Sequence, residues 1–527
     1  MLAPIIYPDI ISYIKIHNVP NEKNETMYDL LKTTDLNFGI ITIKTPKVQI
    51  TKTPLAIYMN IDRSGSMDDI CPDGQTKMAH LKHTIKNMIH LFSTYTEVNV
   101  YICIGIFGSF VDILTNGFEL ITIETLEYFY KIINSITSQG NTNIELSLQT
   151  AMNSILTFKK KSPNVRPIHI QFTDGEASSG ETEINELIKN INTSYKNIFI
   201  GFGETHDSYL LSRFAEYDNV GINEYIFIDQ TEKADMVCGE IIYNILYPFT
   251  TECSTINMIP DEDGKSMKIY NWKTNEWVSN ITISPLSGDC EKIYHIQGNK
   301  MVNIKKKNLY CRSSSSEISE NIGNICSAEL LLCDLYGDKY IEYIELIPEL
   351  INIPKASLDN KGMIETNITD LTKYMFRQKT LELLYESQQL ESHQYEIKEK
   401  ENNIDNWMNK KYTSHVNKDI IDLRSRFLIL FKILQVYFDT LVNECDKIFI
   451  KILMDDIHIA NKTLGTSNGY MYSCSRHISQ GSQGTYKVGV TNDDVYQEEN
   501  ISSKTNNIIL EMMHKICNNQ EDVEVEC

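Results

Sequence analysis

The chain has 527 residues, 42% of them hydrophobic and 23% charged, with a formal net charge of −21. That length is more than one core usually serves and predicts about two to four domains of ordinary globular composition. The acidic balance argues against nonspecific nucleic-acid binding, which needs a basic footprint. At the N-terminus, Met1-Leu2-Ala3-Pro4-Ile5-Ile6-Tyr7-Pro8-Asp9 has no basic leading region and is broken by prolines, so it makes a poor signal peptide. Residues 10–53 then alternate apolar and polar positions, notably Phe38-Gly39-Ile40-Ile41-Thr42-Ile43 and Val48-Gln49-Ile50, which predicts strands.

The apolar run Leu55–Ile61 reads as a strand that stops at Asp62 and leads into Arg63-Ser64-Gly65-Ser66-Met67. A carboxylate followed by two hydroxyls two residues apart suits a divalent cation, which takes oxygen ligands and keeps several waters. Gly65 is expected to let the loop turn. Helical spacing follows through Met78, Leu81, Ile85, Met88, Ile89 and Phe92, then a strand at Val98–Ile104 and helices around Leu126–Ile136 and Ile144–Phe158. Gly140-Asn141-Thr142-Asn143 sets the Thr142 hydroxyl in a loop at a helix start. The strand Ile168–Thr173 again ends in a carboxylate, Asp174-Gly175-Glu176. A helix near Glu183–Ile191, a strand at Ile198–Phe202, a helix from about Asp207, a strand at Tyr225–Ile228 and a closing helix over Met236–Leu246 complete an α/β alternation. Ligands of open α/β sheets collect outside the carboxyl ends of the strands, so Asp62, Ser64, Ser66, Thr142 and Asp174 are expected to converge.

This D-x-S-x-S … T … D pattern resembles the von Willebrand factor type A (VWA) family and its metal-ion-dependent adhesion site, with every position matched. The likeness spans residues 54–248 and includes Phe199–Asp207, similar to the family's later strand and turn. It implies a doubly wound, Rossmann-like domain that holds Mg²⁺ (or Mn²⁺). Asp62, Ser64 and Ser66 would form the first loop, Thr142 would engage directly or through water, and Asp174 directly or from one layer out. A partner's acidic side chain would complete the metal shell. The net charge of −21 opposes long-range steering of such an acidic partner. Around the loops, Asp68, Asp69 and Asp73 read as solvated carboxylates. Glu176 reads as a water-mediated ligand or as a solvated helix-start residue. In His206-Asp207, Thr205 or Asp207 is expected to cap a helix, with His206 on the loop.

Residues 249–355 change to strand-like runs, such as Lys268–Trp272, Val278–Ile283 and Ala328–Cys333, and predict an antiparallel β-sandwich. VWA domains are often inserted into such a sandwich, so the strands of residues 1–53 are expected to join it. Residues 366–463 predict a helical pair or bundle, clearest at Ile420, Leu423, Phe427, Leu430, Phe431, Leu434, Phe438 and Leu441. Residues 464–527 read as a polar, partly disordered tail with a Gly/Ser-rich loop at Ser479–Tyr486. This layout, with abundant Ile, Asn and Lys, resembles uncharacterised VWA proteins of protists and giant DNA viruses. Twelve cysteines without a C-x-x-C pair exclude a zinc ribbon or RING finger and favour reduced thiols. No uncharged run approaches the roughly 20 residues that span a bilayer. The expected protein is intracellular and cytoplasmic (host cytoplasm or virion for a viral source). No nucleophile, metalloprotease or phosphate-loop motif is present, so the expected function is non-enzymatic protein–protein interaction through the cation. The alternative is a structural scaffold whose metal only braces loops.

Overall fold

Parallel pairing around one buried strand organises the α/β unit of this computed structural model, which describes residues 11–17, 37–71, 74–174, 176–202, 206–217, 223–228, 231–260, 267–298, 327–333, 339–345, 371–402, 414–466 and 469–483. Strand β3 (Leu55–Asp62) is buried along its whole length. It is flanked in parallel by β4 (Val100–Phe107) on one side and β7 (Arg166–Thr173) on the other. Beyond β7 lie β8 (Lys196–Phe202) and β9 (Glu224–Ile228), also parallel. The short strands β5 (Val111–Ile113) and β6 (Glu119–Leu120) pair antiparallel with β4. The order β5-β4-β3-β7-β8-β9 reverses direction at β3, which opens a crevice at the carboxyl ends of β3 and β7.

Side chains that alternate across these strands fill two layers. Leu55, Ile57, Met59, Ile61, Ile168, Ile170, Phe172, Ile198 and Ile200 pack on one face against α1 (Lys77–Thr94), α2 (Leu126–Asn134) and α6 (Thr231–Leu246). On the other face Phe107 and Phe199 meet α3 (Ile144–Lys161) and α5 (Ser208–Glu216) through Ile144, Leu148, Leu210 and Phe214. Each of α1, α3 and α5 starts on a side-chain cap. Thr76 accepts from the Ala79 N–H at 3.1 Å, Asn143 from Leu146 at 3.0 Å and Asp207 from Leu210 at 2.9 Å. The helix expected near Glu183–Ile191 is shorter, a single turn α4 (Ile184–Leu187) followed by a 3-10 turn over 188–190. No Glu183 side-chain cap opens it, and the Asn190 amide bonds back to the Glu186 carbonyl, a local alternative to helix continuation.

Two antiparallel sheets accompany this unit. One runs β1 (Ile11–His17), β2 (Asn37–Lys44), β14 (Glu291–Gly298), β11 (Lys268–Asn271), β12 (Glu276–Val278). The other runs β13 (Asn280–Ile283), β10 (Ser254–Ile259), β15 (Ser327–Cys333), β16 (Lys339–Glu345). The first is assembled from both sides of the α/β unit: β2 pairs with β14 in the register Phe38↔Gln297 to Lys44↔Glu291. Ile41 and Ile43 from β2 share one apolar cluster with Ile256, Ile269, Ile281, Ile283 and Ile296.

The C-terminal helices are α7 (Thr372–Asn402), α8 (Ser414–Thr440), α9 (Glu444–Thr463) and α10 (Gly469–Ser482). Phe376, Leu384, Leu423, Phe427, Leu430, Leu434, Ile450 and Ile457 form the core between the first three. The polar tail expected from residue 464 is corrected over its first part. Ser479, Gln480, Gly481 and Ser482 belong to α10, where Gln480 and Gly481 are buried rather than part of a loop. Gln480 donates to Asp456 Oδ2 at 2.6 Å, and Gly481 lies so close to the Trp272 indole that an added Cβ would stand 2.1 Å from it. The remainder of that tail, from residue 484, lies outside the described residues. Among the described residues, no helix is long and apolar enough to cross a membrane. Cys103 and Cys474 are buried free thiols.

Candidate metal centre

Asp62 is the last residue of β3 and is fully buried. Two donors fix its carboxylate: the Thr173 hydroxyl reaches Oδ2 at 2.6 Å and the Ser64 N–H reaches Oδ1 at 2.8 Å. The hydroxyls of Ser64 and Ser66 lie 3.0 Å apart, and Ser66 Oγ donates to Asp174 Oδ1 at 2.9 Å. Asp174 directly follows β7 and is 1% exposed. Parallel register of β3 with β7 thus carries two distant carboxylates to one crevice, linked through the serines.

The loop after Asp62 tightens into a 3-10 turn over Gly65–Asp68, with Met67 buried beneath it. Contrary to the sequence expectation, Gly65 is not the residue that needs unusual backbone freedom. That demand falls on Gly140, at φ +83°, whose carbonyl accepts the Gly65 N–H at 3.1 Å. Thr142 sits just beyond, 4% exposed, at the start of α3. Its N–H donates to Ser178 Oγ at 2.8 Å and its carbonyl accepts from the Ser178 and Ser179 N–H groups at 3.0 and 3.2 Å. Backbone bonds therefore stitch the first loop to the second and the second to the third. Thr142 is brought to the crevice by its backbone, while Asp62, Ser64, Ser66 and Asp174 are joined through their side-chain polar groups.

One charged group at this centre was not anticipated from the sequence. Lys77, 8% exposed in its side chain, places Nζ 2.7 Å from Asp174 Oδ2 and 3.1 Å from Asp69 Oδ2. Burial alone would push this ammonium down, but the hydrogen bond and charge of Asp174, then of Asp69, raise it overall. Asp69 is therefore not merely solvated, although its side chain is 62% exposed. The available signal was position: Lys77 opens α1, the end of a helix where the macrodipole disfavours a cation. Asp62 shows the opposite imbalance. Burial pushes its carboxyl up to about 6, the Thr173 and Ser64 hydrogen bonds pull it back, and the charge of Asp174 adds to the rise.

The donors suit a hard cation. Two carboxylates and the neighbouring hydroxyls are all oxygen donors, the kind that hard cations take. The burial that makes ionised Asp62 unfavourable would be offset by a positive charge beside it. Of the other candidates, Asp68 and Glu176 are exposed, and Asp73 and Thr205 lie outside the described residues. His206 lies on the loop before α5, as expected, but is 5% exposed, stacked on Phe227 at 4.9 Å, with Nε2 2.5 Å from the Tyr225 hydroxyl. Asp207 is the cap of α5. Arg63 reaches away to Asp112 at 2.8 Å, and Ile70 and Phe110, on flanking loops, are 74% and 73% exposed.

A parallel sheet of order β4-β3-β7-β8-β9 with oxygen groups gathered at its carboxyl edge defines a Rossmann-like α/β domain, a class in which ligands bind at that edge. Residues 57–237 match the von Willebrand factor type A domain, and the chain contains a domain of that family. No curated protein matches the chain. Among solved structures, the chain is similar to a von Willebrand factor type A protein from Catenulispora acidiphila (11% identity, TM-score 0.47, covering 90% of this chain and 96% of that one). It is also similar to the ArnB paralog VWA2 from Sulfolobus acidocaldarius (12% identity, TM-score 0.42, covering 90% and 99%). A third similar structure is the pilus adhesin SpaC from Lactobacillus rhamnosus GG (13% identity, TM-score 0.30, covering 56% and 44%). VWA domains generally mediate protein–protein interaction.

Proposed function

We propose that the protein is a non-enzymatic interaction module that uses a divalent cation to capture an acidic side chain of a protein partner. The observation that carries this reading is the hydrogen-bonded chain from Asp62 through Ser64 and Ser66 to Asp174, with Thr142 on the adjoining loop. Asp62, Ser64 and Ser66 would hold Mg²⁺ or Mn²⁺, with Thr142 and Asp174 engaging it directly or through water. When bound, the cation supplies a localised positive charge whose shell a partner's carboxylate completes. Thr173 keeps Asp62 aimed into the crevice, and the exposed Ile70 and Phe110 offer such a partner apolar contact. In this reading the two antiparallel sheets form a β-sandwich that carries the VWA domain as an insertion, and the C-terminal helices form a bundle beside it.

Calorimetric titration of the full chain with MgCl₂ and MnCl₂, beside an Asp62→Ala/Asp174→Ala double variant of confirmed fold, tests the proposal. Saturable binding in the wild type and none in the variant is the expected result. Equal heats in both would overturn it. A second reading, a scaffold in which the crevice has only a structural role, draws on Lys77, whose ammonium already offsets the charge of Asp174. Partner binding that survives a chelator would favour that reading.

A further inference from the structure

Lys77 reaches two carboxylates of very different character. Asp174 is buried and belongs to the cation crevice, whereas Asp69 stands at its rim with a side chain 62% exposed. A lysine is a compact point charge on a flexible stem, able to move its head between neighbouring acceptors without moving its backbone. Its ammonium occupies Asp174 Oδ2 and leaves Oδ1 to Ser66. A divalent cation that entered beside Asp62 and drew on Asp174 would meet this positive charge a few ångströms away, in a region sheltered from water and salt. Like charges at that range repel strongly.

Resting on the proposed cation site, we infer that Lys77 is a built-in competitor for it: its ammonium holds Asp174 while the crevice is empty and shifts to Asp69 when a divalent cation binds. Three features of the structure support this exchange. The ammonium is already within 3.1 Å of the second acceptor. The buried carboxylate gains a partner in either state, which avoids leaving an uncompensated charge inside the protein. And Asp69, in the turn that follows Ser66, belongs to the same loop as the serines, so cation entry and lysine departure involve one segment. Lys77 is thus an affinity-setting residue rather than a ligand, and it reserves the site for conditions in which the cation is abundant.

The test compares the full-length wild type with Lys77→Met, Asp69→Asn and the double variant by calorimetry with MgCl₂, and by thermal unfolding in chelator and in Mg²⁺. Removing one positive charge at this range should tighten Mg²⁺ binding by roughly tenfold or more. Lys77→Met should also melt below wild type in chelator, yet gain more from added Mg²⁺. Lys77→Gln, which keeps a donor to Asp174 without the charge, serves if the methionine variant does not fold. Asp69→Asn should weaken Mg²⁺ binding in the wild-type background but change it by less than about twofold once Lys77 is gone, because its role is to receive the ammonium. Unchanged or weaker binding by a folded Lys77 variant overturns the inference and leaves the cation site standing, as does an equal effect of Asp69→Asn in both backgrounds. Silence from wild type and every variant removes the cation site itself. Binding by Lys77→Met with none by wild type supports the lysine as the resident occupant.

Discussion

His169 lies inside the parallel sheet with Nδ1 3.0 Å from Asn197 Oδ1, and His295 on β14 sets Nδ1 2.7 Å from Gln378 Oε1 on α7. Burial pushes His169 down to about 4, partly countered by its Asn197 hydrogen bond. Burial, then the nearby Arg377 charge, pushes His295 down to about 3. Both are therefore neutral in the fold where an unfolded chain would protonate near pH 6.5. The stabilisation they give is complete above that pH and is lost as pH falls toward 4, because only the unfolded state takes up protons in that window. At pH 5 each should cost about 2 kcal/mol of stability relative to neutral pH. Melts at pH 7 and pH 5 should show this, and His169→Gln should flatten the dependence. A variant with an unaltered slope would assign acid sensitivity to other groups. At this scale Asp62, Ser64, Ser66 and Asp174 were legible as candidates, since each stands at or just past the end of an apolar strand run. Lys77 was not, because its position at the start of α1 marks an unusual cation but not its partner, Asp174, 97 residues away.

Helix α10 shows how tertiary contacts override local preference. Ser479, Gly481 and Ser482 are modest helix formers, and a loop is the natural reading of such a run. In the structure Tyr470 and Cys474 pack with Phe199, Leu210 and Phe214 of the α/β unit, and Ser473 bonds Ser387 of α7 at 2.6 Å. Arg377 of α7 hydrogen-bonds the Gln480 carbonyl. Just past the helix, Gln483 Oε1 accepts the Ile293 N–H at 2.9 Å while its Nε2 donates to the Ile293 carbonyl at 2.7 Å, standing in for a strand neighbour of β14. One short helix thereby touches the α/β unit, an antiparallel sheet and the helical region. Gly481→Ala would raise helix propensity by up to about 1 kcal/mol. It would also drive a methyl into the Trp272 ring, and overpacking of this kind costs about 1–3 kcal/mol, so a net loss is expected. Denaturant unfolding followed by tryptophan fluorescence reads the outcome, and a more stable variant would mean that α10 can slide freely past Trp272.

For the whole molecule, the decisive arrangement is that β2 and β14 are neighbours although the entire α/β unit lies between them in sequence. The α/β alternation was legible because its strands are long, apolar and bounded by helical spacing. The antiparallel strands were visible as strands, but their partners were not, since alternation states which face is buried and never which distant strand completes it. In the order β1-β2-β14-β11-β12, Ile41 and Ile43 of β2 share one apolar cluster with Ile269 of β11 and Ile296 of β14.

That arrangement imposes a timetable on synthesis. When β2 leaves the ribosome its neighbour β14 does not yet exist, and the roughly 250 residues between them take on the order of 10–50 s to make at typical rates. Over that interval the α/β unit can fold as a unit, while Ile41 and Ile43 wait without the β14 edge that their strand pairs with. Nascent chains arrested before residue 291 should be cut readily by protease within 37–44, and chains extended past the exit tunnel beyond residue 298 should resist. Early protection would mean that β2 first finds a temporary partner. The emerging polypeptide must therefore keep one apolar strand out of trouble for longer than most domains take to fold.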